Sequence, residues 1–302
     1  MSYTSPIMQA LTLIPALLAL AWLLGVPGML GILVLLVALT FVAAGFNASP
    51  RPPQWRIGPG ARLACWLEEI LAGLLIMLVT MPLERILMRR DVAARRTDAW
   101  PVLLLHGFIN NAGALWTLRD ELLAQGYGVH TLNLAPVHID IDRHAPRIEA
   151  RVREILARTG AARVVLVCHS MGGLAARAYL RACPRAPVAQ LITLGTPHQG
   201  TVSAHVAWGP CGRQMLPGNP WLVRLAAGEA ARAQAAGGAG AWPCPVVSVF
   251  SYDDNIVVPQ IGAILPGARN LPLAGIGHMS LPMSRRVARL VSAEMAVPPA
   301  HG

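Results

Sequence analysis

Hydrophobic residues fill almost every position between residues 7 and 46, and the first charged side chain of the protein is Arg51. A helix that crosses a bilayer needs about 20 apolar residues, so this stretch is long enough for two crossings. The sequence GVPG at positions 25–28 interrupts it, and proline and glycine both end helices. The pattern therefore predicts an α-helical membrane hairpin, with transmembrane helices over residues 7–24 and 29–46.

A second apolar stretch covers residues 70–83, with glutamates on both sides of it. Its length of about 14 residues suits an interfacial or re-entrant helix. A third transmembrane helix that begins near Leu63 fits the same pattern, and both interpretations stay open. We place this third apolar helix at residues 63–83, within an N-terminal membrane-anchor region of residues 1–96. Five arginines between residues 85 and 96 favour the cytoplasmic side of a membrane, so we expect the rest of the chain to face the cytoplasm.

From residue 97 onward, short β-rich runs alternate with amphipathic helices. Helical patterns cover residues 113–125 and 145–159; in the second, apolar residues recur at the spacing of one helix face. Alternation of this kind predicts an α/β domain over residues 97–302, with a mostly parallel sheet and helices on both faces. Six strands are predicted, over residues 102–106, 129–133, 163–168, 190–194, 246–251 and 270–273.

Charge and composition narrow the function classes. Charged residues make up only 13% of the chain, against about 25% in ordinary soluble domains, as expected for a chain partly in lipid. All 25 basic residues are arginine, which excludes mechanisms that need a lysine amine or a GxxxxGK[ST] phosphate loop. The net charge of +10 does not indicate nucleic acid, because arginines of the helix at 145–159 are spaced for pairs with its own glutamates, Glu149 with Arg153 and Glu154 with Arg158.

The strongest chemical motif is VVLVCHSMGGL, residues 164–174. An apolar strand runs into Ser170 and a helix begins directly after it, which is the context of the G-x-S-x-G nucleophile elbow. Cys168 replaces the first glycine of that motif. A strained turn of this kind holds a serine hydroxyl clear of the backbone and points a helix N-terminus at developing negative charge. Ser170 is therefore the predicted nucleophile, and a serine that only caps a helix is the alternative.

The remaining parts of a hydrolytic site follow other predicted strands. After the first strand comes the loop His106-Gly107-Phe108, in which His106 is expected to be structural. Backbone N–H groups of Phe108 and Met171 are the expected oxyanion hole. Later strands end in a pair of aspartates and in the Gly-rich loop that carries His278. The chain order serine, acid, histidine is that of the α/β-hydrolase triad.

Five segments between residues 101 and 282 resemble the bacterial lipases of the α/β-hydrolase fold, including the minimal lipases: VLLLHGF, VVLVCHSMGG, LITLGTPHQGT, SYDDNIVVP and GARNLPLAGIGHMSL. The resemblance implies an ester hydrolase with Ser170 as nucleophile, Asp254 rather than Asp253 as acid, and His278 as general acid–base. Phe108 and Met171 again supply the oxyanion hole, and no cofactor or metal is implied. Cys168 and the long N-terminal apolar region depart from the family pattern. Together with that region, the resemblance implies a location in a bacterial inner membrane.

Three further features complete the expectations. Residues 200–242 form an irregular excursion that suits a lid over the acyl pocket. Cys211 and Cys244 flank this excursion and form a disulfide only if that side of the membrane is oxidising. The string HIDIDRH at residues 138–144 resembles a set of metal ligands, but a polar loop before a helix explains it.

The function expected from the sequence is thus a membrane-anchored serine hydrolase that cleaves lipid or acyl esters at a bilayer. Two alternatives stay open. One is an acyltransferase or thioesterase on the same fold, and the other is a non-catalytic membrane scaffold that retains the hydrolase fold. The substrate, the oligomeric state and the disulfide state are left open.

Overall fold

A six-stranded parallel sheet forms the centre of the protein. The computed structural model describes residues 14–88, 91–235 and 242–295. The strands follow the order β2-β1-β3-β4-β5-β6, and each neighbouring pair is parallel. Their bounds are Val102–Leu105 (β1), Val129–Leu132 (β2), Val164–His169 (β3), Val188–Leu194 (β4), Val246–Ser251 (β5) and Arg269–Leu273 (β6). This confirms the predicted six-stranded parallel sheet. The largest difference is the start of β4, which begins two residues before the prediction and pairs there with β3.

Helices cover both faces of the sheet because side chains alternate along each strand. In β1, Leu103 and Leu105 face one core and Val102 and Leu104 face the other. The α/β part of the chain contains seven α-helices among the described residues: α4 (Trp116–Ala124), α5 (Ala145–Thr159), α6 (Met171–Ala182), α7 (Gly209–Gln214), α8 (Pro220–Ala235), α9 (Ser280–Met283) and α10 (Arg285–Glu294). Helices α5 and α6 pack on the first face, and α4 and α10 pack on the second. On α5, both predicted ion pairs are present.

The N-terminal region is helical. Helix α1 (Ile14–Phe46) is interrupted at Gly25, which has φ 67° and ψ −162°, so the predicted break is found. Residues 7–13 of the first predicted span lie outside the described residues. The part Leu30–Phe46 is an apolar helix somewhat shorter than a full span. A membrane hairpin is therefore not established, and it stays a prediction.

The helix that contains the third apolar stretch is longer than the 14 apolar residues 70–83. Helix α2 (Pro59–Leu75) continues as a π-helix over Ile76–Thr80, and a short helix α3 (Glu84–Leu87) follows. Within the described ranges, Pro59–Thr80 is the one helix that is long and apolar enough to cross a membrane, by length and composition alone. It also contacts the α/β part of the chain through the buried Glu69, whose carboxylate accepts the N–H of Met279. Two of the five expected arginines, Arg89 and Arg90, lie outside the described residues.

The described part of the excursion, residues 200–235, is mostly helical, so the prediction of an irregular segment is wrong there. It contains α7 and α8, which its high alanine and glycine content concealed. Helix α8 is tied to α6 by a buried bidentate ion pair, with Arg177 Nε 3.0 Å from Glu229 Oε1 and Nη2 2.7 Å from Oε2. The Ala/Gly-rich residues 236–241 at the end of the excursion lie outside the described residues.

All five cysteines are free, so Cys211 and Cys244 are not bridged. The aspartates of the HIDIDRH string have structural partners. The side chain of Asp140 accepts hydrogen bonds from the backbone of Asp142 and from Gln214, each at 2.9 Å, and Asp142 pairs with Arg181 at 2.6 Å. Among the described residues, no group of three or more His, Cys, Asp or Glu side chains is arranged to hold a metal ion.

Candidate active site

Ser170 lies in a strained turn between β3 and α6. Its backbone has φ 54° and ψ −128°, a conformation that a residue with a side chain rarely adopts. Two hydrogen bonds hold the turn: Ser170 N donates to Leu194 O (2.9 Å) and Thr196 Oγ1 donates to Ser170 O (2.8 Å). Cys168 is fully buried and in register with both neighbouring strands, so the substitution for glycine is compatible with the elbow. Strain of this kind collects at functional sites, where the surrounding structure maintains it.

His278 and Asp254 form a buried pair at the same edge of the sheet. His278 Nδ1 is 2.8 Å from Asp254 Oδ2, and both side chains are almost fully excluded from solvent. The other carboxylate oxygen of Asp254 accepts the backbone N–H groups of Ile256 and Val257, each at 2.8 Å. These contacts fix the carboxylate in one orientation, with its second oxygen directed at the imidazole.

Asp253, the other candidate acid, is occupied elsewhere. It pairs with Arg51 at 2.8 Å and accepts the backbone N–H of Gly275 at 2.7 Å. Asp254 is therefore the carboxylate that the fold places on His278, as the sequence predicted. The role of the pair in catalysis stays a prediction at this point.

The imidazole of His278 lies beside the strand that carries Ser170. Its ring centroid is 4.7 Å from that of His169, the residue before Ser170. The Nε2 atom of His169 lies 3.1 Å from the backbone oxygen of His278, so Nε2–H donates there. The backbone N–H of His278 donates to Asn255 Oδ1 at 3.1 Å. Three strand ends, those of β3, β5 and β6, thus bring the predicted nucleophile, acid and base into one region.

The electrostatics favour a histidine that can hold a proton. Burial lowers the pKa of His278, but the neighbouring Asp254 carboxylate and its hydrogen bond outweigh burial, with a smaller contribution from Glu69. The pKa of His278 is therefore raised above its ordinary value. His169 has the opposite character, because burial and the neighbouring His278 lower its pKa well below the usual range. One neutral and one proton-accepting imidazole consequently lie side by side.

The loop after β1 approaches Ser170 closely. A Cβ atom on Gly107 would lie 2.8 Å from Ser170 Cβ, so only glycine allows the approach. His106 holds the loop: its Nδ1–H donates to Gly107 O and its Nε2 accepts the N–H of Leu134, each at 2.9 Å. Burial lowers the pKa of His106 to about 4. It is a neutral structural residue, as predicted.

The two expected oxyanion donors belong to the loop after β1 and to the start of α6. Phe108 follows Gly107 in the loop after β1, and Met171 is the first residue of α6. The N–H groups in the first turn of a helix have no partner within the helix, so the backbone of Met171 can donate to a bound group. Their function as an oxyanion hole remains a prediction.

Exposed apolar side chains lie on the loop after β1 and on the excursion. The rings of Phe108 and Trp208 meet edge to face, with centroids 5.1 Å apart. Trp208, from the turn before α7, keeps about half of its surface exposed, at 55%. Ile109 and Val206 are exposed nearby in sequence. The loop after β1 and the excursion therefore carry four apolar side chains that we call the apolar rim: Phe108, Ile109, Val206 and Trp208.

The sequence did not predict that the N-terminal helices contact the loops of the site. Glu69 of α2 accepts the N–H groups of Met279 and Ser280, each at 2.8 Å. Thr40 of α1 lies 2.6 Å from Asn255 Nδ2, and so supports the asparagine that binds the backbone of His278. The available signal was a pair of glutamates, Glu68 and Glu69, in a mostly apolar helix.

Similar contacts reach the loop after β1. Asn111 Nδ2 donates to Met81 O at 3.0 Å. The backbone N–H of Ser49 donates to Gln260 Oε1 at 2.9 Å, in the segment that follows Asp254. The described part of the predicted membrane region is thus bound to three loops that surround the site.

Comparisons with known proteins agree with this architecture. A family model described as the alpha/beta hydrolase fold matches residues 101–241. Triacylglycerol lipases of Pseudarthrobacter phenanthrenivorans and Burkholderia plantarii are each 34% identical to this chain over 110 residues, 34% of its length. That match covers 34% and 30% of those proteins, so the chain spans about a third of the curated relatives it matches. The mature form of a Bacillus licheniformis lipase superposes with a TM-score of 0.56 at 19% identity, covering 68% of this chain and 94% of that one.

The chain therefore has the α/β-hydrolase fold, with a six-stranded parallel sheet.

Proposed function

We propose that this α/β-hydrolase is a serine hydrolase that cleaves carboxylic esters through a Ser170–His278–Asp254 triad and an acyl-enzyme. The observation that carries the proposal is the buried Asp254–His278 pair, 2.8 Å apart, at the sheet edge where Ser170 occupies a strained turn. A buried carboxylate that orients a histidine beside a strained serine is the arrangement that activates a hydroxyl nucleophile.

The mechanism follows from the properties of these side chains. His278 accepts the proton of Ser170 at Nε2 while the serine oxygen attacks the ester carbonyl carbon. Asp254 keeps the other ring nitrogen protonated and stabilises the imidazolium that forms. The tetrahedral oxyanion accepts hydrogen bonds from the N–H groups of Phe108 and Met171. His278 then protonates the leaving alcohol, and water repeats the cycle on the acyl-enzyme.

The substrate class we propose is a lipid or other acyl ester. The apolar rim offers an acyl chain a surface of aromatic and branched side chains, and ligand sites of this kind are mostly apolar with few polar groups. The relatives named triacylglycerol lipases support the same class. We propose that α7 and α8, which follow β4 in the chain, belong to a lid over the acyl pocket.

Hydrolysis of p-nitrophenyl esters of increasing chain length tests this proposal. Ser170→Ala is expected to abolish turnover, because it removes the nucleophile. Ser292→Ala, in α10 on the far side of the fold, is the control and is expected to keep the wild-type rate. Equal turnover in folded Ser170→Ala and wild-type protein contradicts the proposal. If Ser170→Ala is inactive, a panel of lipid esters and thioesters identifies the preferred substrate of the wild-type protein.

We further propose that the protein is attached to a bacterial inner membrane, with its catalytic part on the cytoplasmic side. Support comes from the apolar side chains that α1 and α2 leave exposed. They recur four residues apart along each helix, as a membrane-facing stripe requires: Leu35 and Leu39 on α1, and Leu63, Leu67 and Leu71 on α2. Arginines before and after the apolar stretch of α2, such as Arg62 and Arg85, favour the cytoplasmic side. Both can lie on that side if α2 lies along the membrane surface.

A further inference from the structure

Glu69 connects the N-terminal helix α2 to the loop that carries His278. Its carboxylate accepts three hydrogen bonds from that loop, each at 2.8 Å: Met279 N–H to Oε1, and both the N–H and the hydroxyl of Ser280 to Oε2. The side chain is almost fully buried, at 1% exposure. An ionised carboxylate accepts hydrogen bonds at both oxygens, and these three donors stabilise that form. Burial raises the pKa of Glu69, and the hydrogen bonds from Met279 and Ser280 oppose that rise.

The loop is also shaped for this carboxylate. A Cβ atom on Gly277, the residue before His278, would lie 2.4 Å from Glu69 Oε2 and 2.5 Å from Glu69 Cδ. Glu69 therefore occupies the space of a missing side chain. The residue after His278 donates to this carboxylate, and the residue before His278 leaves the space that it occupies. The carboxylate thus holds the backbone that carries the imidazole.

A glutamate in an exposed apolar helix needs a reason for its position, because burying a carboxylate costs free energy unless it is paired or hydrogen-bonded. Its neighbour Glu68 is exposed, and so are Leu67 and Leu71 of the proposed membrane-facing stripe. Helix α2 thus has two faces. The outer face is mostly apolar, and the inner face places one carboxylate on the loop that carries His278.

We propose that Glu69 is a positioning residue for His278, so that seating of helix α2 on the hydrolase fold completes the active site. The proposal rests on the proposed function, since it assigns Glu69 to the proton-transfer step of that site. Three titratable groups face the imidazole among the described residues: Asp254 from the loop after β5, Glu69 from α2 and His169 from β3. Asp254 orients the ring directly, whereas Glu69 acts through the backbone and through its charge.

The test uses the full-length protein with Glu69→Gln and the matched control Glu68→Gln. Glutamine keeps the size of the side chain but directs an NH₂ group at donors of the loop. Because hydrogen bonds to a charged group are stronger than neutral ones, we expect kcat to fall about 10- to 100-fold, with KM little changed. The acidic limb of the pH profile is expected to move to lower pH, because Glu69 helps stabilise the imidazolium. Glu68→Gln is expected to behave as wild type.

A second readout does not depend on turnover. NMR titration of the His278 ring in isotope-labelled protein is expected to give a lower pKa in Glu69→Gln than in wild type or Glu68→Gln. If the wild-type protein has no esterase activity but this shift is found, the proposed function is wrong and the positioning role stands. If wild type is active and folded Glu69→Gln keeps both its kcat and its ring pKa, the positioning role is refuted.

A milder variant covers the case in which Glu69→Gln does not fold. Ser280→Ala removes only the hydroxyl donor to Glu69 and leaves the two backbone donors in place. We expect kcat to fall about threefold, with a smaller move of the acidic limb in the same direction as predicted for Glu69→Gln. Wild-type kcat and an unmoved limb in this variant overturn the proposal.

Discussion

Replacing Asp254 with asparagine changes one group of the Asp254–His278 pair and keeps its shape. In the wild-type protein, Oδ1 accepts the N–H groups of Ile256 and Val257 and Oδ2 accepts from His278. The asparagine carbonyl can retain the two backbone donors. Its NH₂ group then faces Nδ1 of His278, which must become an acceptor. The ring consequently carries its proton on Nε2, the atom that has to accept the proton of Ser170.

The size of the effect follows from this change of tautomer. Converting the acid of a serine triad to an amide lowers kcat by about 10⁴-fold, equivalent to about 5 kcal/mol of transition-state stabilisation. The neighbouring Asp253→Asn is the matched control. It weakens the pair with Arg51, which is partly exposed at 21%, and such pairs contribute about 1 kcal/mol or less to stability. We expect Asp253→Asn to keep its activity within a few-fold of wild type.

Steady-state hydrolysis of a short p-nitrophenyl ester across pH measures both variants. In the wild-type protein, kcat/KM is expected to fall as pH decreases through the pKa of His278, which Asp254 raises. Removal of the carboxylate lowers that pKa, so the residual activity of Asp254→Asn is expected to extend to lower pH. Equal losses in the two variants, or a larger loss in Asp253→Asn, would refute the assignment of the acid.

Two further predictions concern the elbow and the outer face of α2. Gly172→Ala places a Cβ atom 2.6 Å from His106 O and 2.7 Å from Leu105 O, both backbone atoms. We expect more than a tenfold loss of kcat/KM and a lower Tm, whereas Gly60→Ala, which meets nothing within 4 Å, keeps both; wild-type behaviour of Gly172→Ala contradicts the elbow geometry. Replacing the α2 stripe residues Leu63, Leu67 and Leu71 by serine is expected to reduce flotation with phosphatidylethanolamine–phosphatidylglycerol vesicles by several-fold, and undiminished flotation would exclude the stripe from membrane binding.

The sheet could be predicted because its strands are buried on both faces. Runs such as VVLV in β3 are apolar at every position, which is typical of a parallel sheet under two layers of helices. Chemical residues at the strand ends then fall together, because the carboxyl ends of parallel strands share one edge. For that reason the positions of Ser170, Asp254 and His278 after their strands were enough to predict their neighbourhood. The choice of Asp254 over Asp253 came instead from the resemblance to the lipase motif.

The contacts between the N-terminal helices and the α/β part could not be predicted from any local sequence pattern. Glu69 and Ser280 are 211 positions apart, and nothing in either segment indicates the other. Hydropathy separated residues 1–96 from the rest as a membrane region, and the polar contacts that join the two parts involve single side chains. Likewise, the alanines and glycines of residues 200–242 hid helix α8, whose position depends on the buried Arg177–Glu229 pair.

The central claim is that Ser170 is an activated nucleophile, and covalent labelling by a fluorophosphonate measures that property most directly. The probe reacts at phosphorus with an activated serine hydroxyl, and peptide mass spectrometry locates the adduct. The account predicts one adduct on Ser170 in wild-type protein, much slower labelling in Asp254→Asn, and no labelling in Ser170→Ala. An unlabelled wild-type protein, or an adduct on another serine that persists in Ser170→Ala, would contradict it.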